Sequence, residues 1–219
     1  MGPKPEFIEH VTQRRAVLRT KLAALIPPTA TLVLEIGSGH GHFLTRYAEA
    51  FPQTLCLGVD LISDRIRRAR RKAERARLTN CNFIQAEARE LIDALPDAVA
   101  FTEVWVLFPD PWPKKRHHKN RLLQPGFFET LARRAGEGAR LYFRTDHGEY
   151  FHAVTAGLPL VPTWRIDPAA RWPLEPETVF QARAPSYLSL VAVRTSHPAT
   201  PAAATAPGPS APAAPRSLA

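Results

Sequence analysis

The chain has 219 residues and 24.3 kDa, with 45% hydrophobic and 22% charged residues, a globular composition that excludes wholesale disorder. Its 29 Lys plus Arg against 20 Asp plus Glu give a net charge of +9 and a pI near 10.1, which favours polyanionic partners, nucleic acid first among them. No apolar run reaches the roughly 18 to 20 residues of a membrane span, and the first six residues lack the apolar stretch of a secretion signal. The expectation is a soluble, cytoplasmic protein with no obligate protein partner.

Residues 6 to 26 read as a leading amphipathic helix stopped by Pro27-Pro28. A buried-type strand follows at Leu32–Ile36, then a glycine loop and a helix over Phe43–Ala50. Thr54–Asp60 is a second strand, Asp64–Leu78 a long helix, Asn82–Gln85 a third strand and Ala88–Leu95 a short helix. Phe101–Phe108 makes a fourth strand, stopped by Pro109, with helix at Phe127–Ala135, strand at Ala139–Thr145 and helix at Glu149–Ala156. A further strand lies at Tyr187–Val193. This alternation predicts an α/β fold, a doubly wound, mostly parallel sheet with helices on both faces. Cys56 and Cys81 fall in apolar strands, which argues against a disulfide framework or a cysteine zinc site. From Ser196 to Ala219 the chain is almost entirely Pro, Ala, Ser, Thr and Gly, with Arg216 its only Lys, Arg, Asp or Glu, too little apolar surface to offset ordering entropy. The organisation expected is one domain over 1–195 and a disordered tail over 196–219.

Ligands of open α/β sheets sit at the carboxyl ends of the strands. The first strand ends in Glu35-Ile36-Gly37-Ser38-Gly39-His40-Gly41, where glycines permit positive φ and close backbone approach. A dinucleotide fingerprint would place a small residue at position 42, which is His42, so a nicotinamide oxidoreductase fits poorly. Glu35 would repel a pyrophosphate but suits a cationic sulfonium cofactor with its ammonium group. Asp60 ends the second strand and can accept from two ribose hydroxyls; Glu87 lies just past the third, within reach of an adenine amine. Taken alone, Asp60 also reads as a helix-cap neighbour and Glu87 as the first-turn acid of the following helix. Together on consecutive strand ends they resemble the S-adenosylmethionine pocket of a class I methyltransferase.

After the fourth strand comes FPDPWPKKRHHKNR, Phe108 to Arg121. Three prolines in five positions stiffen the segment and hold Asp110 at the sheet's carboxyl edge. Trp112 can stack on a base, and the cations beyond it suit a phosphate backbone. The competing reading is a solvated basic turn with Trp112 covering the core. Histidines occur in pairs, His40 with His42 and His117 with His118, without the spacing of a metal site, so no metal is expected. His147 is a candidate for lining the pocket. A second basic feature runs through Arg65–Lys72, Arg75 and Arg77, with Ile66, Ala69, Ala73 and Ala76 as its apolar stripe. It is either a solvated face or a contact to RNA backbone.

From about Leu32 to Arg194 the sequence resembles the bacterial tRNA (guanine-N7)-methyltransferases of the TrmB type, most specifically through FPDPWPKKRHHKNR and Arg144-Thr145-Asp146. The resemblance implies S-adenosylmethionine as cofactor and tRNA as partner, with the guanosine at position 46 of the variable loop as the usual target. By position it places Glu35, Asp60, Glu87 and Asp110 on the cofactor, beside Gly37, Gly39 and Gly41 of the loop, with Asp110 also the catalytic candidate. Lys114, Asp146 and Thr178, Val179, Phe180 and Gln181 would meet the substrate. Arg116, His117, His118, Lys119, Asn120 and Arg121 would touch RNA. The family's late element is typically Thr-Lys-Phe-Glu; here Val179 and Gln181 replace its cation and anion. The alternatives weighed are a methyltransferase for an exocyclic amine of nucleic acid, and an idle RNA-binding module keeping the pocket as a relic.

Overall fold

The leading helix, α1 (Pro5–Leu25), precedes a strand whose residues Leu32 to Ile36 are all buried, because it lies in the middle of a sheet covered on both sides. This computed structural model describes residues 5–174 and 186–196. In order follow β1 (Thr31–Ile36), α2 (His42–Ala50), β2 (Leu55–Asp60), α3 (Ser63–Arg75), β3 (Cys81–Gln85), α4 (Ala88–Ala94) and β4 (Ala100–Leu107). A 3-10 turn over Lys115–Asn120 leads to α5 (Pro125–Ala132), β5 (Ala135–Thr145), α6 (Gly148–Gly157), β6 (Trp164–Ile166) and β7 (Leu188–Arg194). The strands form one sheet in the order β3-β2-β1-β4-β5-β7-β6. Strands β1 to β5 are parallel, and β7 runs antiparallel to both neighbours. The strand order reverses between β1 and β4, which opens a crevice at their carboxyl ends.

The period of two divides each strand between two cores. Leu32, Leu34 and Ile36 of β1 join Val104, Val106, Leu141 and Phe143 under α1, α4, α5 and α6. Val33 instead joins Phe43, Leu44, Tyr47, Trp105 and Tyr142 under α2 and α3, where the Trp105 and Tyr142 rings stack at 3.9 Å. Glu35 points to this second side. Both cysteines are buried thiols, and burial pushes Cys56 up to about 12, which makes it unreactive.

Three local departures from the expected elements have physical causes. The helix expected to run to Ala135 ends at Ala132, because Ala135 already pairs with Phe101 and opens β5; Gly138, at φ +75, lets the strand shift register there. Helix α3 ends three residues early. Arg77 adopts φ +55, and Leu78 N–H donates to Ala73 O (3.0 Å) while Arg77 N–H donates to Glu74 O (3.0 Å), a Schellman stop. The three-residue β6 is too short to leave a periodic signal. The expected tail beyond Ser196 lies outside the described residues, as do Thr178, Val179, Phe180 and Gln181. No helix among the described residues is long and apolar enough to cross a membrane.

Candidate functional site

Because β1 to β5 point the same way, the residues at their carboxyl ends share one rim. In spatial order across the sheet, Glu87 follows β3, Asp60 ends β2, Glu35 lies in the last turn of β1, Asp110 follows β4 and Asp146 follows β5. Five carboxylates on five adjacent strands are therefore a consequence of topology.

The β1 exit is built on three left-handed glycines, Gly37 (φ +76), Gly39 (φ +52) and Gly41 (φ +70). A Cβ at Gly37 or Gly39 would meet nothing within 4 Å, so their backbone faces open space that a ligand can occupy. Gly41 has a different task. A Cβ there would stand 2.7 Å from the Phe83 ring and 2.8 Å from Ala69, so the position lets the loop pack on α3 and β3. Asp60 ties the loop down: its Oδ2 accepts from Gly39 N–H at 3.0 Å and its Oδ1 from Ile62 N–H at 2.9 Å. Each oxygen retains a further lone pair.

Glu35 is 4% exposed, and its Oε2 has no hydrogen-bond partner among the described residues. Burial pushes its carboxyl up to about 8 against a hydrogen bond from the Leu44 backbone; Asp60 adds to the rise and Lys72 opposes it. A carboxyl held this way gains from a cation or a donor brought to it. Glu87 caps α4, its Oε2 accepting from Glu90 N–H at 2.9 Å, so the capping reading and the binding reading coexist through its second oxygen.

The β4 exit is built the opposite way. Phe108 (φ +49) and Trp112 (φ +46) are non-glycine residues in the left-handed region at either end of the Pro-Asp-Pro segment. Phe108 N–H donates to Arg144 O at 2.8 Å, which pins this exit to the end of β5 and brings Asp110 and Asp146, both exposed, past neighbouring strands. Trp112 is half-buried with its ring edge-on to His117. Lys114 caps the 3-10 turn and is exposed, as are Arg116, Lys119 and Asn120, while His117 and His118 are half-buried.

Arg121 departs from its expected RNA contact. Its side chain is 4% exposed and is spent inside the protein. Nε donates to Pro111 O at 2.7 Å, an NH2 group meets His118 Nε2 at 2.9 Å, and the guanidinium lies 5.1 Å from the Tyr150 ring centroid with Glu149 at 3.8 Å. Arg121 thus holds the proline segment from below, a role that a run of cations in sequence does not distinguish from solvent exposure. Arg144 is likewise buried, its guanidinium between the Trp172 and Tyr187 rings at 3.9 and 4.6 Å and its Nε donating to Ser189 Oγ. His147 caps α6, with Nδ1 accepting from Tyr150 N–H at 3.2 Å.

The family described as "Putative methyltransferase" (Methyltransf_4) matches residues 29–182. A tRNA (guanine-N(7)-)-methyltransferase of Syntrophotalea carbinolica is 39% identical over 136 residues, covering 62% of this chain and 59% of the relative. One of Bordetella pertussis is 36% identical over 167 residues, covering 74% and 65%. The chain thus spans about three fifths of the length of these relatives. The antibiotic-resistance methyltransferase Kmr has a similar structure, with a TM-score of 0.54 at 21% identity over 81% of this chain and 92% of that one. The fold is therefore that of class I methyltransferases, and the glycine loop, the strand-end acids and the proline segment all fall inside the matched region. The chain belongs to this methyltransferase family.

Proposed function

We propose that the protein transfers the methyl group of S-adenosylmethionine to N7 of a guanosine in tRNA, with position 46 of the variable loop as the target. The observation that carries this reading is the place of Asp110. It stands on a rim whose other carboxylates suit the cofactor, directly before a cationic turn that suits RNA.

The residues present fit the cofactor. Gly37 and Gly39 leave backbone open to it, Gly41 keeps the loop closed on α3, and Asp60 has lone pairs free for ribose hydroxyls. Glu87 keeps one oxygen for an adenine amine, and the orphaned Oε2 of Glu35 suits the cationic end of the molecule. When bound, S-adenosylmethionine supplies an electrophilic methyl on a sulfonium. Guanine N7 carries an in-plane lone pair and no proton at neutral pH, so no side chain has to act as a base. The protein's work is alignment and exclusion of water. Asp110 and Asp146 then stabilise the positive charge that the base gains, and Lys114 pairs with a phosphate or with O6 beside N7. Arg116, His117, His118, Lys119 and Asn120 face the RNA backbone.

Incubation with labelled S-adenosylmethionine and total tRNA, followed by nucleoside analysis, tests the reading. The expected product is 7-methylguanosine. Label recovered in an exocyclic amine would replace N7 as the target, and failure to bind the cofactor at all would leave only an RNA-binding module.

A further inference from the structure

A second cluster of basic side chains lies outside the rim, between α2 and α3. Two adjoining cavities of about 380 and 420 Å³ share His42, Lys72 and Arg75. Arg46 of α2 lines the first, together with Glu49, and Arg71 of α3 lines the second. His42 and Arg46 are one helical turn apart, as are Arg71 and Arg75, so two helices turn basic side chains toward one trough. The trough starts beside His40 of the glycine loop, so it leads away from the rim where the methyl group would be transferred.

Charge here is not balanced from within. Lys72 Nζ is buried with no hydrogen-bond partner among the described residues. Burial, then Arg75 and Arg46, pulls its pKa down, and burial with Lys72, His40 and Arg46 does the same to His42. Of the carboxyls nearby, Glu49 forms no ion pair among the described residues, and Glu35 below is pushed up to about 8 and so is mostly protonated at neutral pH. The other α3 arginines are already engaged: Arg67 and Arg68 with Asp64, and Arg70 with Phe83 O. This sorts the α3 cations along the trough into Arg67 and Arg68, which line it but pair with Asp64, and Arg71, Lys72 and Arg75, which form no ion pair among the described residues.

We propose that this trough seats the phosphodiester backbone of the RNA substrate, as a second docking point apart from the methyl-transfer rim. The proposal rests on the function given above. Arg71 and Arg75 stand about 6 Å apart along α3, so their guanidinium groups can meet different phosphates of one strand rather than share a single one. An extended backbone uses the whole trough, whereas a lone phosphate would engage only part of it.

The test compares the wild type with the triple variant Arg71→Gln/Lys72→Gln/Arg75→Gln and with Lys72→Met, which keeps the buried stem and removes a desolvated ammonium. Filter binding of tRNA across a salt series should show the triple variant weaker by about tenfold or more at low salt. Its log–log salt slope should be shallower by about 2, as expected for two lost phosphate contacts. Calorimetric binding of S-adenosylmethionine within twofold of the wild type shows that the fold and rim are intact, and Lys72→Met should move in the same direction by a smaller factor. Unchanged tRNA affinity and slope in both variants, in a protein that still forms 7-methylguanosine, overturns the trough alone. Inorganic pyrophosphate bound by the wild type and lost in the variants, with tRNA binding untouched, reassigns the trough to a free phosphate and rejects the RNA backbone. A wild type that binds no tRNA removes both readings together.

Discussion

The exits of β1 and β4 face each other across the crevice and solve one problem by opposite means. At β1 the chain turns through positive φ three times, always at glycine, so the turn is nearly free of strain and exposes bare backbone. At β4 it turns through positive φ at Phe108 and Trp112, where each L-residue costs on the order of 1 kcal/mol or more. Proline rings and the buried Arg121 hold that geometry in place. The first exit accepts a ligand by taking side chains away. The second presents one carboxylate, Asp110, by bracing it.

The largest effect should follow from emptying the braced exit. Asp110→Ala is expected to lower methyl transfer by about 10²-fold or more while leaving the thermal midpoint unchanged, because the side chain is exposed. Near-wild-type turnover would remove this carboxylate from the chemistry. Next comes the brace itself. Arg121→Met keeps the apolar stem but leaves Pro111 O and Glu149 without their cation, and urea denaturation should show a loss of about 2 to 3 kcal/mol, with activity falling in parallel. An unaltered midpoint would mean that the prolines suffice.

The glycine exit predicts a split between two similar substitutions. Gly41→Ala forces a Cβ against Phe83 and Ala69 at φ +70 and should destabilise the fold by about 2 to 4 kcal/mol. Gly37→Ala meets no protein atom and should cost only about 1 kcal/mol, yet weaken S-adenosylmethionine binding about tenfold or more, since one lost contact of about 1.4 kcal/mol is already tenfold. Equal stability losses would contradict the open space around Gly37, and unchanged S-adenosylmethionine binding in Gly37→Ala would show that no ligand surface exists there. The last test is of pH dependence. Glu35 titrates near 4.5 when unfolded and about 8 when folded, so the native state holds an extra proton between those values. Stability without ligand therefore falls as pH rises through that window and is flat outside it. Glu35→Gln should flatten the falling limb in denaturation midpoints measured from pH 4 to 9 while weakening cofactor binding. An unchanged slope would place the proton elsewhere.

The α/β class, the order of the elements through β5 and the strand-end acids were legible from residue order alone, because buried strands, glycine turns and proline stops are local signals. The FPDPWPKKRHHKNR string and Arg144-Thr145-Asp146 carried most of the family resemblance for the same reason. Only the tertiary structure decided which cations are free. Arg67, Arg68, Arg71, Lys72 and Arg75 read as one basic face, and Arg116 to Arg121 as one basic run. Packing then gave Arg67 and Arg68 to Asp64, buried Arg121 beneath Pro111 and left Lys72 without a hydrogen-bond partner. A side chain's charge is written in the sequence, but its neutralisation depends on geometry: Asp64 meets Arg67 and Arg68 one helical turn on, whereas Arg121 meets Glu149 only once the chain has folded.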